Sequence, residues 1–333
     1  MRGSRVARAV ATNVDSQRTV MLTTKNLQAL DVNATDGARI VSVGVNLCLY
    51  IEPPFEEIPD AVLSIFERFL EICPRELMAW YLTNSMEKHE AVTKRTFEIP
   101  KVWLRSEKKS KYLMSYEIKD AVSKYYSDTA NWKFGFVSRS RDNGLFPRRA
   151  NIIEVLFPCD FGDNHLNTFY QFVETACNRL PFLSGHAGYT LEVSGYYQNR
   201  GAYDKALALG MRYKELDISD PDFALAVKKH RGIKGINWLT ILGRAFVERL
   251  PVREREGTKD LIFKEATGGL IVQAGQRPAV VDGNRSEPVA AYRESYNLLK
   301  KFIVSTPVPL EVAGGFEHQM ERTRQWIHRF AKK

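Results

Sequence analysis

The sequence predicts an α+β fold in which mostly antiparallel sheets are packed by helices. Three kinds of observation favour this class: apolar residues at every second position, apolar residues spaced three and four apart, and prolines that end both patterns. The order strand, helix, strand occurs twice along the 333 residues. We therefore expect the chain to contain two related strand–helix–strand halves.

The first strand–helix–strand unit begins at residue 39. Residues 39–52 alternate with period two, as in a strand with one apolar face, and Pro53 follows them. Residues 57–73 carry apolar side chains at helical spacing, and Pro74 ends the predicted helix. Residues 77–83 are predicted to return to a strand.

The second unit repeats this order. Residues 151–157 predict a strand, residues 163–180 an amphipathic helix that Pro181 ends, and residues 189–193 another strand. Between the two units, residues 132–137 predict one more strand.

The remaining part of the chain predicts helices and a glycine-rich strand pair. Helices are expected near 201–213, 236–250, 288–302 and 317–331, and the strand pair is expected to start with residues 268–275 and continue after them. We expect four segments in order: a flexible lead-in over 1–36, an N-terminal α+β half over 37–149, a C-terminal α+β half over 150–305, and a C-terminal helix over 306–333.

The charge balance favours an acidic partner without identifying it. Lysine and arginine total 48 against 39 acidic residues, a net charge of +9. No apolar run reaches the roughly 18 residues of a membrane helix, and the basic start is not followed by an apolar stretch typical of a secretory signal. The four cysteines are scattered, as expected of buried thiols in a reducing compartment. We expect a cytoplasmic protein that does not contact a membrane.

Motifs for catalysis or cofactor binding are not found in the sequence. It contains no HExxH, GxSxG, P-loop or GxGxxG pattern. Asp160 and Asp163 flank a predicted helix start, where carboxylates are expected as caps. We therefore expect no catalytic residue, no cofactor and no metal site, although a carboxylate pair assembled by the fold stays open as an enzymatic alternative.

Arginines surround a predicted turn between the two units. Arg139, Arg141, Arg148 and Arg149 flank an Asn-Gly pair, and a loop at a turn can protrude toward a partner. We predict these four residues as a partner-binding group. Two further basic groups are Arg105, Lys108, Lys109 and Lys111, and Lys228, Lys229, Arg231 and Lys234. Such groups also allow nucleic-acid binding, but acidic neighbours dilute them and no RRM, KH or helix-turn-helix pattern organises them.

Five stretches of the second half carry a family resemblance. They read LPFLSGHAGY (180–189), MRYKELDISDP (211–221), KGINWLTILG (234–243), GGLIVQAGQRP (268–278) and DGNR (282–285). In this order and spacing the chain resembles the type VI secretion immunity family, over about residues 40–305. Two departures affect loop shape: Lys214-Glu215 replaces an expected Pro-Gly, and Val280-Val281 an expected Leu-Gly.

The resembling stretches supply candidate structural residues. Gly185, Gly188 and Gly275 are interpreted as tight-turn glycines. Trp238 is interpreted as a buried anchor on a helix. The other two motif positions are Pro278, which ends the fourth stretch, and Asp282, which begins the fifth.

The resemblance implies a binding role. Members of this family stay in the producing cell and occlude a cognate toxin delivered by the type VI apparatus, and in some systems that toxin is a nuclease with a restriction-endonuclease-like fold. A basic inhibitor would block such a toxin by plugging its active site or by an allosteric contact, because an imitation of nucleic acid would be acidic. Direct nucleic-acid binding and an adaptor or chaperone role for an effector are the alternatives.

Overall fold

The structure is a computed structural model that describes residues 21–106, 113–123, 125–139, 149–196 and 201–332. The strands over these residues are β1 (Val32–Asn33), β2 (Arg39–Ile51), β3 (Met78–Thr83), β4 (Glu90–Ala91), β5 (Met114–Asp120), β6 (Lys133–Ser138), β7 (Asn151–Pro158), β8 (Phe182–Val193), β9 (Asp217–Ile218), β10 (Leu239–Gly243), β11 (Leu261–Ala266) and β12 (Gly269–Ala274). The α-helices are α1 (Thr24–Gln28), α2 (Pro59–Ile72), α3 (Ile99–Leu104), α4 (Leu166–Arg179), α5 (Ala202–Arg212), α6 (Phe223–His230), α7 (Arg244–Val247), α8 (Val252–Glu256), α9 (Ala290–Leu299) and α10 (Phe316–Ile327).

The described strands form one continuous sheet. Its order is β11-β12-β10-β8-β2-β7-β6-β5-β3-β4, with β1 beside β2 and β9 beside β8. The pairs along this order are antiparallel, and β9 pairs parallel with β8. The predicted α+β class with mostly antiparallel pairing is therefore confirmed.

The central strand β2 joins the two predicted halves. Val45 on β2 lies opposite Phe157 of β7 on one side and Tyr189 of β8 on the other. Both neighbours come from the C-terminal segment, so the N-terminal strands β6, β5 and β3 continue the sheet beyond β7. The two strand–helix–strand units thus share one sheet, and the predicted segment boundaries within it stay a prediction.

Helices cover both faces of the sheet at its centre. An aromatic cluster joins α2 and α4 to one face, with Phe157 5.2 Å from Phe172 and 6.0 Å from Phe69 between ring centres. Helix α5 packs against β2 and β8, and Tyr203 on α5 is buried. Residues 40–51 of β2 are therefore buried on both faces, whereas the alternating pattern had predicted one apolar face.

Two sequence predictions are wrong in the C-terminal part. The segment near 236–250, predicted as a helix, contains strand β10, because pairing with β8 and β12 on both sides overrides its helical spacing. The hairpin partner of β12 is β11, which precedes the glycine-rich stretch, whereas the sequence had placed that partner after it. The helices predicted near 201–213, 288–302 and 317–331 are confirmed as α5, α9 and α10.

The described end of the predicted flexible lead-in is part of the fold. Leu27 on α1 is fully buried, and Val32 on β1 pairs with Val41 of β2. Leu27 and Val32 therefore attach the described end of this segment to the core beside the start of β2. All four cysteines are buried free thiols, as predicted. Among the described residues, no helix has the length and apolar character that a membrane crossing requires.

Candidate functional site

The predicted arginines lie at one end of the sheet, as far as the structure describes them. Arg141 and Arg148 fall outside the described residues. Arg139 follows β6, and Arg149 precedes β7. At this end, Ile51 closes β2 opposite Asn151 and Phe182. We call it the arginine end: β2, β6 and β10 finish there, and β7, β8 and β12 begin there.

Arg139 and Arg149 are held by their surroundings. The Arg139 guanidinium donates to the Ala150 carbonyl at 3.1 Å, and its backbone N–H donates to Asn151 at 2.7 Å. Arg149 forms an ion pair with Asp222 at 2.5 Å, and its side chain is about one-third exposed. Asn151 also donates to the Pro53 carbonyl at 2.7 Å, which connects this loop to the neighbouring groove.

A groove with a volume of about 710 Å³ opens at the arginine end. Its floor is apolar and buried, and its rim is basic. The floor contains Leu180, Phe182 and Phe246, and the rim contains Arg179, Arg231, Arg244 and Arg249. We call it the arginine-rimmed groove. Among its described lining residues, Glu52 is the only acidic one, and it pairs with Lys228 at 2.7 Å.

Local contacts position the rim side chains without burying them. Arg244 donates through Nη2 to the Thr267 carbonyl at 2.9 Å. The guanidinium of Arg249 lies 5.1 Å from the ring centre of Phe302, a cation–π distance. Both residues remain exposed. A basic rim above an apolar floor suits a partner that offers carboxylates around an apolar anchor.

Arg231 has an unusual backbone. It ends α6 with φ 44° and ψ 54°, and it is the only described residue other than glycine with a positive φ. A side chain in this left-handed region costs roughly 1 kcal/mol relative to glycine. The Arg231 side chain is 71% exposed and lies 3.6 Å from Glu52. Backbone strain retained at an exposed groove residue is typical of functional positions.

A second cavity, of about 410 Å³, lies on the sheet face that carries α5. Lys133 from β6 donates to Glu154 of β7 at 2.9 Å and to Glu192 of β8 at 2.6 Å. Burial and Glu154 raise the pKa of Glu192, which Lys133 only partly offsets. The carboxylates of Glu154 and Glu192 together raise the pKa of Lys133 despite its burial. We call this the charged cavity.

A histidine closes one side of the charged cavity. His89 lies 2.7 Å from Glu117 on β5 through Nε2 and 2.9 Å from the Tyr196 hydroxyl through Nδ1. Burial alone would raise the pKa of Glu117, but the hydrogen bond with His89 and the charge of Lys133 lower it to about 2. Glu117 therefore stays ionised in the folded protein.

A separate ion cluster is completely enclosed. Asp217 on β9 accepts from Lys234 at 2.8 Å and lies 3.0 Å from Nε2 of His186, and all three side chains are 2% exposed. The sequence places Lys234 with Lys228, Lys229 and Arg231 in one basic group. The structure separates it from them, because its side chain is buried in this ion cluster. Its ammonium also donates to the Ile218 carbonyl, so the cluster holds the loop before β10 against β9.

Asp220, next to this cluster, makes the stability depend on pH. Burial raises its pKa to about 7, although a hydrogen bond from the Asp222 backbone opposes the shift. The folded state therefore binds a proton more tightly than the unfolded state, and stability falls as pH rises from about 4 to about 8. We expect Asp220→Asn to be more stable than the wild type at pH 8, by as much as about 4 kcal/mol, and near wild type at pH 4.

Urea unfolding at both pH values measures this effect, with the exposed Asp260→Asn as the matched control. An equal difference between Asp220→Asn and wild type at the two pH values would contradict the assignment.

Three of the predicted motif residues meet around Trp238. Its indole N–H donates to the Gly275 carbonyl at 3.1 Å, and a Cβ on Gly188 would lie 3.1 Å from the Trp238 Cβ. Gly275 has φ +82°, as a turn after β12 requires. Trp238 is buried, as expected, but it precedes strand β10 instead of lying on a helix. The residues Phe169 and Tyr170 of α4 pack on it.

The remaining motif residues have other surroundings. Gly185 and Gly188 lie within β8 rather than in a turn. At Gly185 the constraint is close packing, because a Cβ would lie 2.6 Å from the Cys48 carbonyl oxygen. Asp282 accepts two hydrogen bonds from Arg212, which lower its pKa to about 2. Pro278 is buried, and it lies between β12 and Asp282 in the sequence.

Sequence reasoning missed most of the groove and the whole charged cavity. Arg179 ends α4, whereas Arg244 and Arg249 lie at and just after α7, so no local pattern groups all three. The cavity carries a weak signal, since Glu154 and Glu192 each stand between apolar neighbours within a strand. Within the described part of the chain, no group of three histidine, cysteine or acidic residues could hold a metal ion.

Comparison with known proteins identifies the family. The family model described as TsiV, type VI immunity for VRR-NUC, matches residues 61–330. The fold is similar to that of the Pseudomonas aeruginosa T6SS protein PA0821, with a TM-score of 0.75, 18% sequence identity, and coverage of 93% of this chain and 89% of that one. A search of curated proteins finds no match. The chain therefore belongs to the TsiV family of type VI immunity proteins.

Proposed function

We propose that this protein binds and neutralises a cognate type VI effector with a VRR-NUC nuclease domain, by direct contact in the cytoplasm and without chemistry of its own. The observation that carries the proposal is the family match over residues 61–330, whose description names VRR-NUC as the target of immunity. A stoichiometric inhibitor needs a contact surface and no reactive group.

The arginine-rimmed groove is the contact surface that we assign to this role. Nuclease sites that bind divalent metals are lined by carboxylates, which guanidinium groups can pair with. The rim arginines would speed association, and an apolar side chain of the effector seated near Phe182 and Phe246 would hold the complex. Of the predicted group Arg139, Arg141, Arg148 and Arg149, the two described members, Arg139 and Arg149, lie at the same end of the sheet, and we propose that they extend this surface.

The net charge of the protein favours a mechanism that blocks the nuclease active site over one that mimics its nucleic-acid substrate. Its net charge of +9 is opposite in sign to that of a nucleic acid, so the protein as a whole is not a mimic of the toxin's substrate. We therefore propose that the groove engages acidic groups at or beside the nuclease active site and closes access to it.

We expect the double variant Arg179→Glu, Arg249→Glu to bind the effector at least about tenfold more weakly than wild type, because two rim cations become repulsive. The measurement is the dissociation constant by surface plasmon resonance, together with survival of cells that co-express the effector. Arg68→Glu, Arg105→Glu is the control, since it makes the same charge change outside the groove, at the partly exposed Arg68 on α2 and the exposed Arg105 after α3.

Three outcomes separate the possibilities. Loss of binding only in the groove variant supports the assigned surface. Equal binding by both variants would reject the surface and leave the function standing. A wild-type protein that neither binds the effector nor protects the cell would reject the function itself.

Nucleic-acid binding is the second candidate, because four arginines around one groove could hold phosphates. A gel-shift titration of the isolated protein with duplex and single-stranded DNA distinguishes the two. Micromolar binding that weakens steeply with salt would favour this alternative, and unshifted DNA at physiological salt would favour protein contact.

A further inference from the structure

The charged cavity carries an excess of acid in a basic protein. Its described lining includes five carboxylates and two lysines. The carboxylates are Glu87, Glu117, Asp128, Glu154 and Glu192, and the lysines are Lys119 and Lys133. Lys119 donates to the Asp128 backbone carbonyl at 2.8 Å. The interior of the cavity therefore favours a cation, although the net charge of the chain is +9.

One carboxylate oxygen in the cavity has an unmet hydrogen-bonding requirement. Glu192 Oε1 accepts from Lys133 at 2.6 Å, but Oε2 is buried and has no hydrogen-bond partner among the described residues. The Glu192 side chain is only 9% exposed. A buried carboxylate oxygen without a donor is costly, because water no longer solvates it. An incoming donor that carries positive charge would remove this cost.

We propose that the charged cavity binds an organic cation, a guanidinium or primary ammonium group, with Glu192 Oε2 as its acceptor. A volume of about 410 Å³ lies within the usual range for small-molecule sites. Tyr196 and Tyr203 line the same cavity, and an aromatic ring can add a cation–π contact to a bound cation. This site is distinct from the arginine-rimmed groove, with which it shares no lining residue.

The cation can come from a free small molecule or from an arginine or lysine side chain of a partner protein. The second source rests on the proposed function, because the partner would be the effector. The chemistry recognised is the same in both cases, so the experiment has one arm for each source.

The first arm titrates the wild-type chain with butylguanidinium and with its neutral isostere butylurea by calorimetry. We expect butylguanidinium to bind saturably and about tenfold or more tightly than butylurea, since only the cation gains a charge-assisted hydrogen bond. This arm needs neither a variant nor an effector, so its result is independent of the proposed function.

The second arm uses Glu192→Gln. The glutamine carbonyl can still accept from Lys133, but its NH₂ group replaces the free oxygen by a donor that repels a cation. We expect butylguanidinium affinity to fall about tenfold, with Glu71→Gln as a control at an exposed position of α2. Circular dichroism and thermal melting show whether both variants are folded. If Glu192→Gln does not fold, the comparison of butylguanidinium with butylurea on the wild-type chain tests the proposal by itself.

Effector affinity then identifies the source. A Glu192→Gln chain that loses effector affinity indicates a partner side chain, whereas one that loses only butylguanidinium indicates a free ligand. Butylguanidinium that binds no better than butylurea, combined with unchanged effector affinity in the folded variant, would overturn the proposal.

Discussion

Replacing Lys234 with alanine is expected to lower the free energy of unfolding by about 3 to 5 kcal/mol. The substitution removes the ammonium that lies 2.8 Å from Asp217. Both side chains are 2% exposed, so the Asp217 carboxylate would lose its main partner in an environment shielded from bulk water. The buried carboxylate would keep only the contact with His186 at 3.0 Å. Urea unfolding followed by tryptophan fluorescence measures the effect.

Lys228→Ala is the matched control for this experiment. Lys228 also pairs with a carboxylate, that of Glu52 at 2.7 Å, but its side chain is 24% exposed and Glu52 is 45% exposed. Solvent screening limits such a pair to about 1 kcal/mol or less. Equal losses in the two variants would show that enclosure of the Lys234 pair has no energetic consequence.

The same comparison has a defined pH dependence. Burial would raise the pKa of Asp217, but the charges of Lys234 and His186 hold it well below its ordinary value. A carboxyl group whose pKa is lower in the folded than in the unfolded state stabilises the fold at pH values above its unfolded-state pKa of about 3.9. This stabilisation is lost as the pH falls below that value. In Lys234→Ala the main cause of the depression is gone. The gap between variant and wild type should therefore narrow below about pH 4.

Trp238→Ala is the second change with a large expected effect, about 3 to 5 kcal/mol of destabilisation. The indole is 1% exposed, and it fills space beside Phe169, with 6.4 Å between ring centres. It also donates to the Gly275 carbonyl at 3.1 Å. The alanine variant would lose this packing and one of the two hydrogen bonds that the Gly275 carbonyl accepts, the other coming from the Gln273 side chain at 2.9 Å.

Trp238→Phe separates the two contributions. It keeps an aromatic ring and removes the indole N–H, so we expect a smaller loss of about 1 to 2 kcal/mol. Thermal and urea unfolding provide both values. If the alanine and phenylalanine variants lose the same stability, the hydrogen bond to Gly275 and not the packing holds this region together.

Helices could be predicted from the sequence where apolar residues recur at three- and four-residue steps on one face only. Residues 57–73 and 163–180 met this condition, and α2 and α4 lie within them. Residues 236–250 did not, because their dense apolar residues fit a buried strand as well as a helix. Only the pairing of Ile241 with Gly185 and Ile271 decides between the two, and pairing is a property of the whole chain.

The candidate sites depend on register, which local sequence does not contain. Arg139 and Arg149 were found because they flank one loop. Arg179 and Arg244 reach the same end only because Phe182 lies opposite Ile51 and Leu242 lies opposite Ser184. The charged cavity likewise requires Lys133, Glu154 and Glu192 to meet across three strands. Membership of the family, by contrast, could be recognised from short motifs, and the match over residues 61–330 confirms it.

The position of β2 also has a consequence for how the protein is made. β2 occupies residues 39–51, whereas the two strands that flank it begin at residues 151 and 182. A nascent chain on the ribosome therefore holds an apolar strand with at least one unpaired edge until β8 has been synthesised, which is more than half of the polypeptide. Products of premature termination before β8 would expose this edge and tend to aggregate.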